Sequence, residues 1–404
     1  MTTASAASPT LDRLVDQLLR DESDVPWLGD FRRRALAAFS QSSLPGRRFE
    51  SWRKVPLDSF ELSSLAVPSD TGITIKGEHQ CRVLAFRDVQ DPDLRSIVER
   101  DLCEEVPADR PAYFEQLGRA TYSHSALILA QPNVPNGRIE LTHRLKGDGL
   151  LSHRVIVVVP AGAELTVLER FEAEAGEPLT CWLPHTRLVC GPNSRLNHVS
   201  LRSFSDREYS FHELCSDQER DSVLNTAIVH VGGHIGRTGY RARINQVGAE
   251  YRGIGIAALR GRSFLNTELF VEHHANHSRS SLLYRTVSRD RAHSVFDGNL
   301  YIGENVRDVD SHQTNNNLLL DRNARAESMP RLLIRAEKVS CEHGATVGEI
   351  DRDALFFLMA RGLPEPQARA LLIQGFLDSV LEEMPLLDEE LEPVQKHVLE
   401  TLAL

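Results

Sequence analysis

The sequence predicts a mainly β fold with helical segments at both ends. Between about residues 120 and 346, short runs rich in Val, Ile, Leu, Thr and Phe are separated by turns of Gly, Pro, Asn and Asp. In one run, the apolar Leu265 and Leu269 alternate with the polar Asn266 and Glu268, which is the two-residue period of a half-buried strand. Because this pattern continues with almost no helical spacing, we predict a long β-structure: a solenoid, a jelly roll or stacked sheets.

An N-terminal helical or mixed region, residues 1–119, is predicted to precede the β-structure. Apolar residues at helical spacing indicate a first helix, and a similar pattern after Pro26 indicates a second. The residues of the two patterns are Leu11, Leu14, Val15, Leu18 and Leu19, then Phe31, Leu36 and Phe39. Beyond them the sequence is mixed, with a strand-like run from Arg82 to Phe86.

The β-core is predicted over residues 120–348, and a C-terminal helical module over residues 349–404. Asp351 is expected to cap a helix that ends near Gly362, and Pro364 and Pro366 are expected to begin the next helix. The apolar face of that second helix is Ala368, Leu371, Leu372, Phe376 and Val380. The module is too small to bury such faces alone, so it must pack on the β-core or partly on a partner.

Composition narrows the class of protein. The chain has 404 residues, 41% hydrophobic and 25% charged, which is typical of a soluble globular protein. The net charge of -11 argues against a dedicated nucleic-acid binder. No apolar run approaches membrane-span length and no basic-then-apolar segment opens the chain, so we expect no membrane association and a cytoplasmic location. The six cysteines contain no CxxC pair and are predicted to be reduced thiols.

The pair Cys341 and His343 is the most informative candidate site. It lies two residues apart at the end of an alternating run, so both side chains would project from one face of a strand. A thiolate and an imidazole favour zinc, copper or iron-sulfur species over hard cations. Two ligands are at most half a site, which indicates completion by another part of the chain or by a partner. The alternative is a buried thiol beside a hydrogen-bonded histidine.

Two further motifs carry competing interpretations. The segment Glu272-His273-His274-Ala275-Asn276-His277 could hold zinc in a metalloenzyme, but on a strand His273 and His274 would point to opposite faces, which favours a turn with hydrogen-bonded histidines. The segment Gly253-Ile254-Gly255-Ile256-Ala257-Ala258 fits a dinucleotide fingerprint, but a β pattern follows where a helix is required. We find no Gly-x-Ser-x-Gly elbow and no paired carboxylates that their context singles out, so the sequence gives no support for hydrolase chemistry.

Several segments resemble the SufB/SufD family of SUF iron-sulfur cluster assembly scaffold proteins, and within it the SufD type. They fall in family order across most of the chain: 50–57, 274–277 with Ser281 and Tyr284, 295–298, 313–320, 341–348, and 355–358 with 361–362. SufB-like chains carry a reactive cysteine where this sequence has Leu358, and a Glu-Ala where it has Gly344-Ala345. Glu342, where SufD chains more often have serine, is the one departure.

This resemblance implies a right-handed parallel β-helix core with helical flanks. It also implies a non-catalytic scaffold, rather than an enzyme, that pairs with SufB through the β-helix and docks the ATPase SufC on the C-terminal helices. The sequence leaves open whether the chain forms a homodimer without SufB. A transient iron-sulfur cluster would lie at the SufB interface, held by His343 with Cys341 as a weaker ligand, and no cofactor would be tightly bound to the isolated chain. The alternative within the family is a SufB-like, main cluster-building subunit.

Overall fold

A parallel β-solenoid of about eight turns forms the centre of the structure, a computed structural model that describes residues 9–402 except 67, 69, 108, 109 and 174–178. One sheet, sheet A, contains β1 (Asp70–Lys76), β4 (Gly137–Lys146), β7 (Glu164–Ala173), β10 (Arg195–Phe204), β12 (Val223–Gly232), β14 (Glu250–Leu259), β16 (Arg279–Ser288), β18 (Val309–Leu319) and β20 (Val339–Glu349).

The second sheet, sheet B, contains β2 (Cys81–Leu84), β3 (His124–Ala130), β6 (His153–Val159), β9 (His185–Cys190), β11 (Glu208–Gln218), β13 (Ile235–Ile244), β15 (Phe264–His273), β17 (His293–Ile302) and β19 (Arg325–Ile334). The short strands β5 (Gly149–Leu151) and β8 (Thr180–Trp182) extend it. The predicted mainly β fold is therefore confirmed, as a solenoid rather than a jelly roll. The right-handed sense implied by the family resemblance stays a prediction.

Each coil contributes one strand to each sheet, because successive strands from β10 to β20 alternate between the sheets. Arg195 pairs with Val223 and Val223 with Glu250, so one coil takes 27 or 28 residues here. Among the described strands, antiparallel pairing is confined to β1 with β4 and β2 with β3, at the N-terminal end. The parallel ladder therefore begins under this cap and runs to β20.

The coil corners explain the turn residues of the sequence. One residue with positive φ precedes β7, β10, β12, β14 and β16 by the same two positions: Gly162, Asn193, Asp221, Gly248 and His277, respectively. Gly, Asn and Asp tolerate this left-handed conformation better than other residues. The Gly, Asn and Asp residues that recur between the strands therefore form the corners of the coils.

The solenoid interior is packed by inward-facing residues of both sheets. Strands of sheet A supply Val167, Leu196 and Leu224 from successive coils, and strands of sheet B supply Leu188 and Leu214. These side chains are almost completely buried. Because successive side chains alternate faces, the same strands leave their other face for the flanking helices.

The N-terminal helices cover the outer face of sheet B. They are α1 (Pro9–Asp21), α2 (Pro26–Ser40), α3 (Pro92–Cys103) and α4 (Tyr113–Thr121). Trp52 stacks on Phe114 with ring centroids 5.2 Å apart, and Phe114 stacks on Phe211 of β11 at 4.0 Å. The two predicted N-terminal helices are confirmed, whereas α3 and α4 fall in sequence that predicted no element.

The C-terminal helices α5 (Arg352–Ala360), α6 (Glu365–Leu381) and α7 (Asp388–Thr401) lie at the outer face of sheet A. Asp351 caps α5 by accepting from the backbone N–H of Asp353 at 2.8 Å, as predicted. Helices α6 and α7 pack on the sheet, with buried Leu377 and Val398 in one cluster with strand residues. Helix α5 buries no residue of its own. Within the described residues, no helix is long and apolar enough to cross a membrane.

Candidate functional site

The solenoid ends in two exposed edge strands. β20 is the last strand of sheet A and β19 the last strand of sheet B, and no described strand pairs with their outer edges. Most residues of β20 are exposed, and Val347, Leu333 and Ile334 are large exposed apolar residues on these edges. Unpaired backbone N–H and C=O groups along such an edge favour pairing with another chain.

Cys341 and His343 lie together on this edge. They pair in register with Ser311 and Gln313 of β18, whose side chains are buried in the solenoid, so the two candidate ligands share the inward face of the last coil. Cys341 is half-buried against the core, and burial raises the pKa of its thiol. His343 is exposed. Among the described residues, no third His, Cys, Asp or Glu completes a metal-ligand set with them.

An amide-rich strand fixes β20 in place. Asn317 of β18 donates to Asn315 Oδ1 at 2.7 Å and to the backbone oxygen of Thr346 at 3.2 Å. Thr346 Oγ1 in turn donates to Asn316 Oδ1 at 2.9 Å. The two bonds to and from Thr346 join the last two coils, so the run 313–317 positions the strand that carries the candidate ligands.

The histidine segment 272–277 does not form a metal site. His273 is buried, and its Nδ1 and Nε2 lie 2.7 and 2.9 Å from the hydroxyls of Ser278 and Ser280. Burial lowers the pKa of His273 to about 4. His274 is exposed, and His277 occupies a coil corner. The predicted separation of the histidines is confirmed, and the geometry does not support the metalloenzyme alternative.

The glycines of the apparent dinucleotide fingerprint have a packing role. A Cβ on Gly255 would lie 2.1 Å from the ring of Tyr284, and one on Gly253 would lie 2.6 Å from the hydroxyl of Tyr251. Both glycines are on β14, inside the solenoid, with no helix after them. They leave space for neighbouring tyrosines rather than for a pyrophosphate.

Sequence reasoning missed a buried ionic cluster beneath α3. Asp101 is completely buried and accepts from Arg154 at 2.8 Å, from His185 Nε2 at 2.9 Å and from Arg187 at 2.8 Å. Burial alone would raise the pKa of Asp101, but Arg154 and His185 hold it well below its ordinary value. Burial and Arg154 would lower the pKa of His185, but Asp101 and Glu115 raise it well above its ordinary value, which favours the protonated ring.

A second buried charge lies inside the solenoid. Glu169 of β7 is 2.9 Å from His198 Nε2, 3.3 Å from His143 Nε2 and 3.2 Å from the hydroxyl of Thr186, which donates to it. Burial would raise the pKa of Glu169, but the hydrogen bonds to His143 and His198 lower it well below its ordinary value. The three partners come from three other strands, β4, β9 and β10, and no sequence spacing indicates that they meet.

Comparison with known proteins identifies the class that this fold and site define, an iron-sulfur cluster assembly protein of the SUF system. Residues 143–376 match the family model described as "SUF system FeS cluster assembly, SufBD core domain". The chain therefore belongs to the SufBD family, as the sequence resemblance predicted.

Similar proteins match along most of the chain. An iron-sulfur cluster assembly SufBD family protein of Synechocystis is 26% identical, covering 93% of this chain and 92% of the relative. The iron-sulfur cluster assembly protein SufD of Escherichia coli is 24% identical over 85% of this chain and 86% of its own length. A SufBD family protein of Mycobacterium leprae is 25% identical over 87% and 89%.

Proposed function

We propose that the chain is a SufD-type, non-catalytic scaffold subunit in the cytoplasm, which pairs with SufB and docks the ATPase SufC while an iron-sulfur cluster is assembled. The observation that carries this proposal is the open end of the solenoid, where an unpaired edge strand presents Cys341 and His343. The match to the SufBD family and the similarity to SufD of Escherichia coli support it.

SufB pairing is assigned to the edges of β19 and β20. Addition of a strand to an exposed sheet edge satisfies backbone groups that are otherwise only hydrated. Exposed Val347 and Leu333, at 48% and 52%, would be covered by the same contact. Since SufB is a paralogue of the same architecture, its own last coil is the expected partner surface.

The cluster would lie at that interface. His343 supplies an exposed imidazole, and the half-buried thiol of Cys341 supplies a second, weaker ligand on the same face. These are soft and borderline ligands of the kind that iron-sulfur species use. The remaining ligands are assigned to SufB, because no third ligand among the described residues completes a set with Cys341 and His343.

SufC docking is assigned to α5 and the adjoining start of α6. Phe356 is 72% exposed, Phe357 55%, Met359 41% and Leu371 50%, in a chain whose other apolar side chains are mostly covered. Helix α5 touches the rest of the protein mainly through α6. An amphipathic helix with exposed aromatic residues is a common protein docking element. ATP hydrolysis by SufC would then move the core subunits and expose the cluster site.

Reconstitution tests the assignment of the ligand. We expect the chain to co-purify with SufB and SufC at low salt, and the His343→Ala complex to assemble intact but to hold several-fold less iron and acid-labile sulfide. The matched control is His312→Ala, a histidine on the neighbouring strand that is 48% exposed and faces outward. Equal cluster content in the two variants would contradict the ligand assignment. Failure of the three folded proteins to associate would contradict the function.

A further inference from the structure

We propose that Cys215 is a sulfur-accepting site, which takes a sulfane sulfur atom from a small polysulfide donor and holds it as a persulfide. The site lies on the outer face of sheet B, under the N-terminal region, and is separate from the β20 edge. The proposal rests on the proposed function, since cluster assembly consumes sulfur. It adds a place on this chain where sulfur is held.

Cys215 is set against a charged histidine. It lies on β11, its residue is 7% exposed, and its Sγ is 3.8 Å from Nε2 of His185. Nε2 also donates to Asp101 Oδ1 at 2.9 Å, which fixes the ring. A thiol beside an imidazolium is the environment in which cysteine acts as a nucleophile.

The cluster is suited to an anion rather than to a metal cation. Asp101, His185 and Cys215 lie close enough together to suggest a metal site. However, Oδ1 of Asp101 already accepts from His185 and Arg187, and Oδ2 accepts from Arg154. A bound cation would displace these donors and lie among guanidinium groups, which is electrostatically unfavourable. The same cationic side chains favour the thiolate form of Cys215, which is the form that acts as a nucleophile.

A cavity gives the sulfur atom access to a ligand. Its volume is about 100 Å³, and Cys215 and His185 line it with Trp52 and Phe114 and with charged side chains of both signs, which are Arg110, Arg119, Arg237, Arg241, Glu104, Glu105, Glu115 and Glu213. Arg237 is 2% exposed; its two terminal nitrogens donate to Glu213 and Glu268, whereas its Nε has no hydrogen-bond partner among the described residues. The same holds for Nε of Arg241 and Nδ1 of His185. These buried N–H groups have no acceptor of their own, so they can donate to an electron-rich ligand such as a polysulfide.

The other buried cysteines lack this environment. Burial raises the pKa of Cys81 to about 11 and of Cys190 to about 12, and it also raises the pKa of Cys181. None of the three has a cationic side chain among the causes of its shift. Cys103 is exposed and lies outside the cavity. These thiols therefore provide internal controls for selectivity.

The chemical step balances without an added oxidant. The Cys215 thiol gives its proton to solvent, and the thiolate attacks a sulfur atom of tetrasulfide. A new S–S bond forms on Cys215 while one S–S bond of the donor breaks, and trisulfide leaves with the electron pair. The cysteine becomes a persulfide, and the donor is shortened by one sulfur atom. The unpaired N–H groups of the cavity would hold the charged donor and the leaving anion.

Mass spectrometry of the full-length reduced chain tests the site. A Cys103→Ser background removes the exposed competitor, and a short pulse of sodium tetrasulfide is followed by alkylation and peptide mapping. We expect a persulfide at Cys215 and at least ten-fold less at Cys81, Cys181 and Cys190. Cys215→Ser should abolish that signal and leave the thermal unfolding midpoint unchanged, because serine is nearly isosteric. Labelling spread evenly over all thiols, or confined to Cys341, would overturn the proposal.

A histidine variant separates positioning from folding. His185→Gln should slow labelling of Cys215 at least ten-fold and change the pH profile of the rate, whereas the control His274→Gln, at an exposed position, should change neither. An unaltered pH profile in His185→Gln would overturn the proposed role of the imidazolium, and stoichiometric zinc or iron on Cys215 would overturn the site. If Cys215 stays unlabelled while the complex with SufB and SufC still builds clusters, this inference fails and the proposed function stands.

Discussion

Removing the ring of Phe356 should weaken SufC binding without affecting the fold. Among the described residues, Phe356 is the most exposed of the large apolar side chains, and it lies on α5, which buries no residue. A phenylalanine buries roughly 200 Å² when fully covered. With 72% of the residue exposed, about 140 Å² is available to a partner. At about 25 cal/mol per Å² this is worth up to about 3.5 kcal/mol.

The expected loss of affinity follows from that area. If SufC covers most of the ring, Phe356→Ala should cost about 2 to 3.5 kcal/mol, which is roughly a 30- to 300-fold increase in Kd. Isothermal titration of SufC into each variant measures this change. Since the ring contacts little in the isolated chain, the thermal unfolding midpoint should be unchanged. Val247→Ala is the matched control, because Val247 is also exposed, at 45%, but lies in a turn of the solenoid.

Two results would refute this reasoning. A change in Kd of less than about three-fold for Phe356→Ala would mean that α5 is not the docking surface, since an anchor residue should cost well over 1 kcal/mol. An equal loss for Val247→Ala would mean that the effect is not specific to the C-terminal helices. Either result would move the SufC site away from α5.

Three further predictions concern stability and use urea unfolding. Asp101→Asn should lower the free energy of unfolding by about 3 to 5 kcal/mol, because it leaves buried arginines without their carboxylate. A loss of stability below about 1 kcal/mol would contradict the ionic role of Asp101. Gly255→Ala should lower the free energy of unfolding by at least about 1 to 3 kcal/mol, because the added Cβ would meet the Tyr284 ring. Gly344→Ala should be nearly neutral, because nothing lies within 4 Å of a Cβ added there. Equal losses of stability would refute the packing argument. Folding lowers the pKa of Glu169, so the stabilisation by its carboxylate is present above its unfolded pKa of about 4.3 and is lost as pH falls towards the folded value. The difference in unfolding free energy between wild type and Glu169→Gln should therefore shrink below about pH 4.3. A difference that is independent of pH would oppose this assignment.

Features encoded locally were predictable from the sequence. The two-residue alternation on β15 and the turns at the coil corners identified the β-structure, because side-chain period and backbone sterics act over a few residues. The cap at Asp351 and the positive φ of Gly362 marked the ends of α5 for the same reason. The shared face of Cys341 and His343 also followed from strand period alone.

The assembly of coils was decided by tertiary structure. The alternating runs fitted a solenoid, a jelly roll or stacked sheets equally well, because the period of a strand does not state which strand it pairs with. Parallel register between residues 27 or 28 apart removed that ambiguity. Helices α3 and α4 were likewise not visible locally, since their burial depends on the sheet B face that they cover.

By itself, the sequence determined the mainly β class, the flanking helices, the family resemblance and the placement of the candidate ligands Cys341 and His343 on one strand face. Only the tertiary structure showed that these two residues lie on an edge with which no described strand pairs, and only it joined Asp101, His185 and Cys215. These three residues lie on α3, β9 and β11, far apart along the chain. Interactions between side chains brought together by folding leave no periodic signal, because each residue is selected for neighbours that the local sequence does not contain.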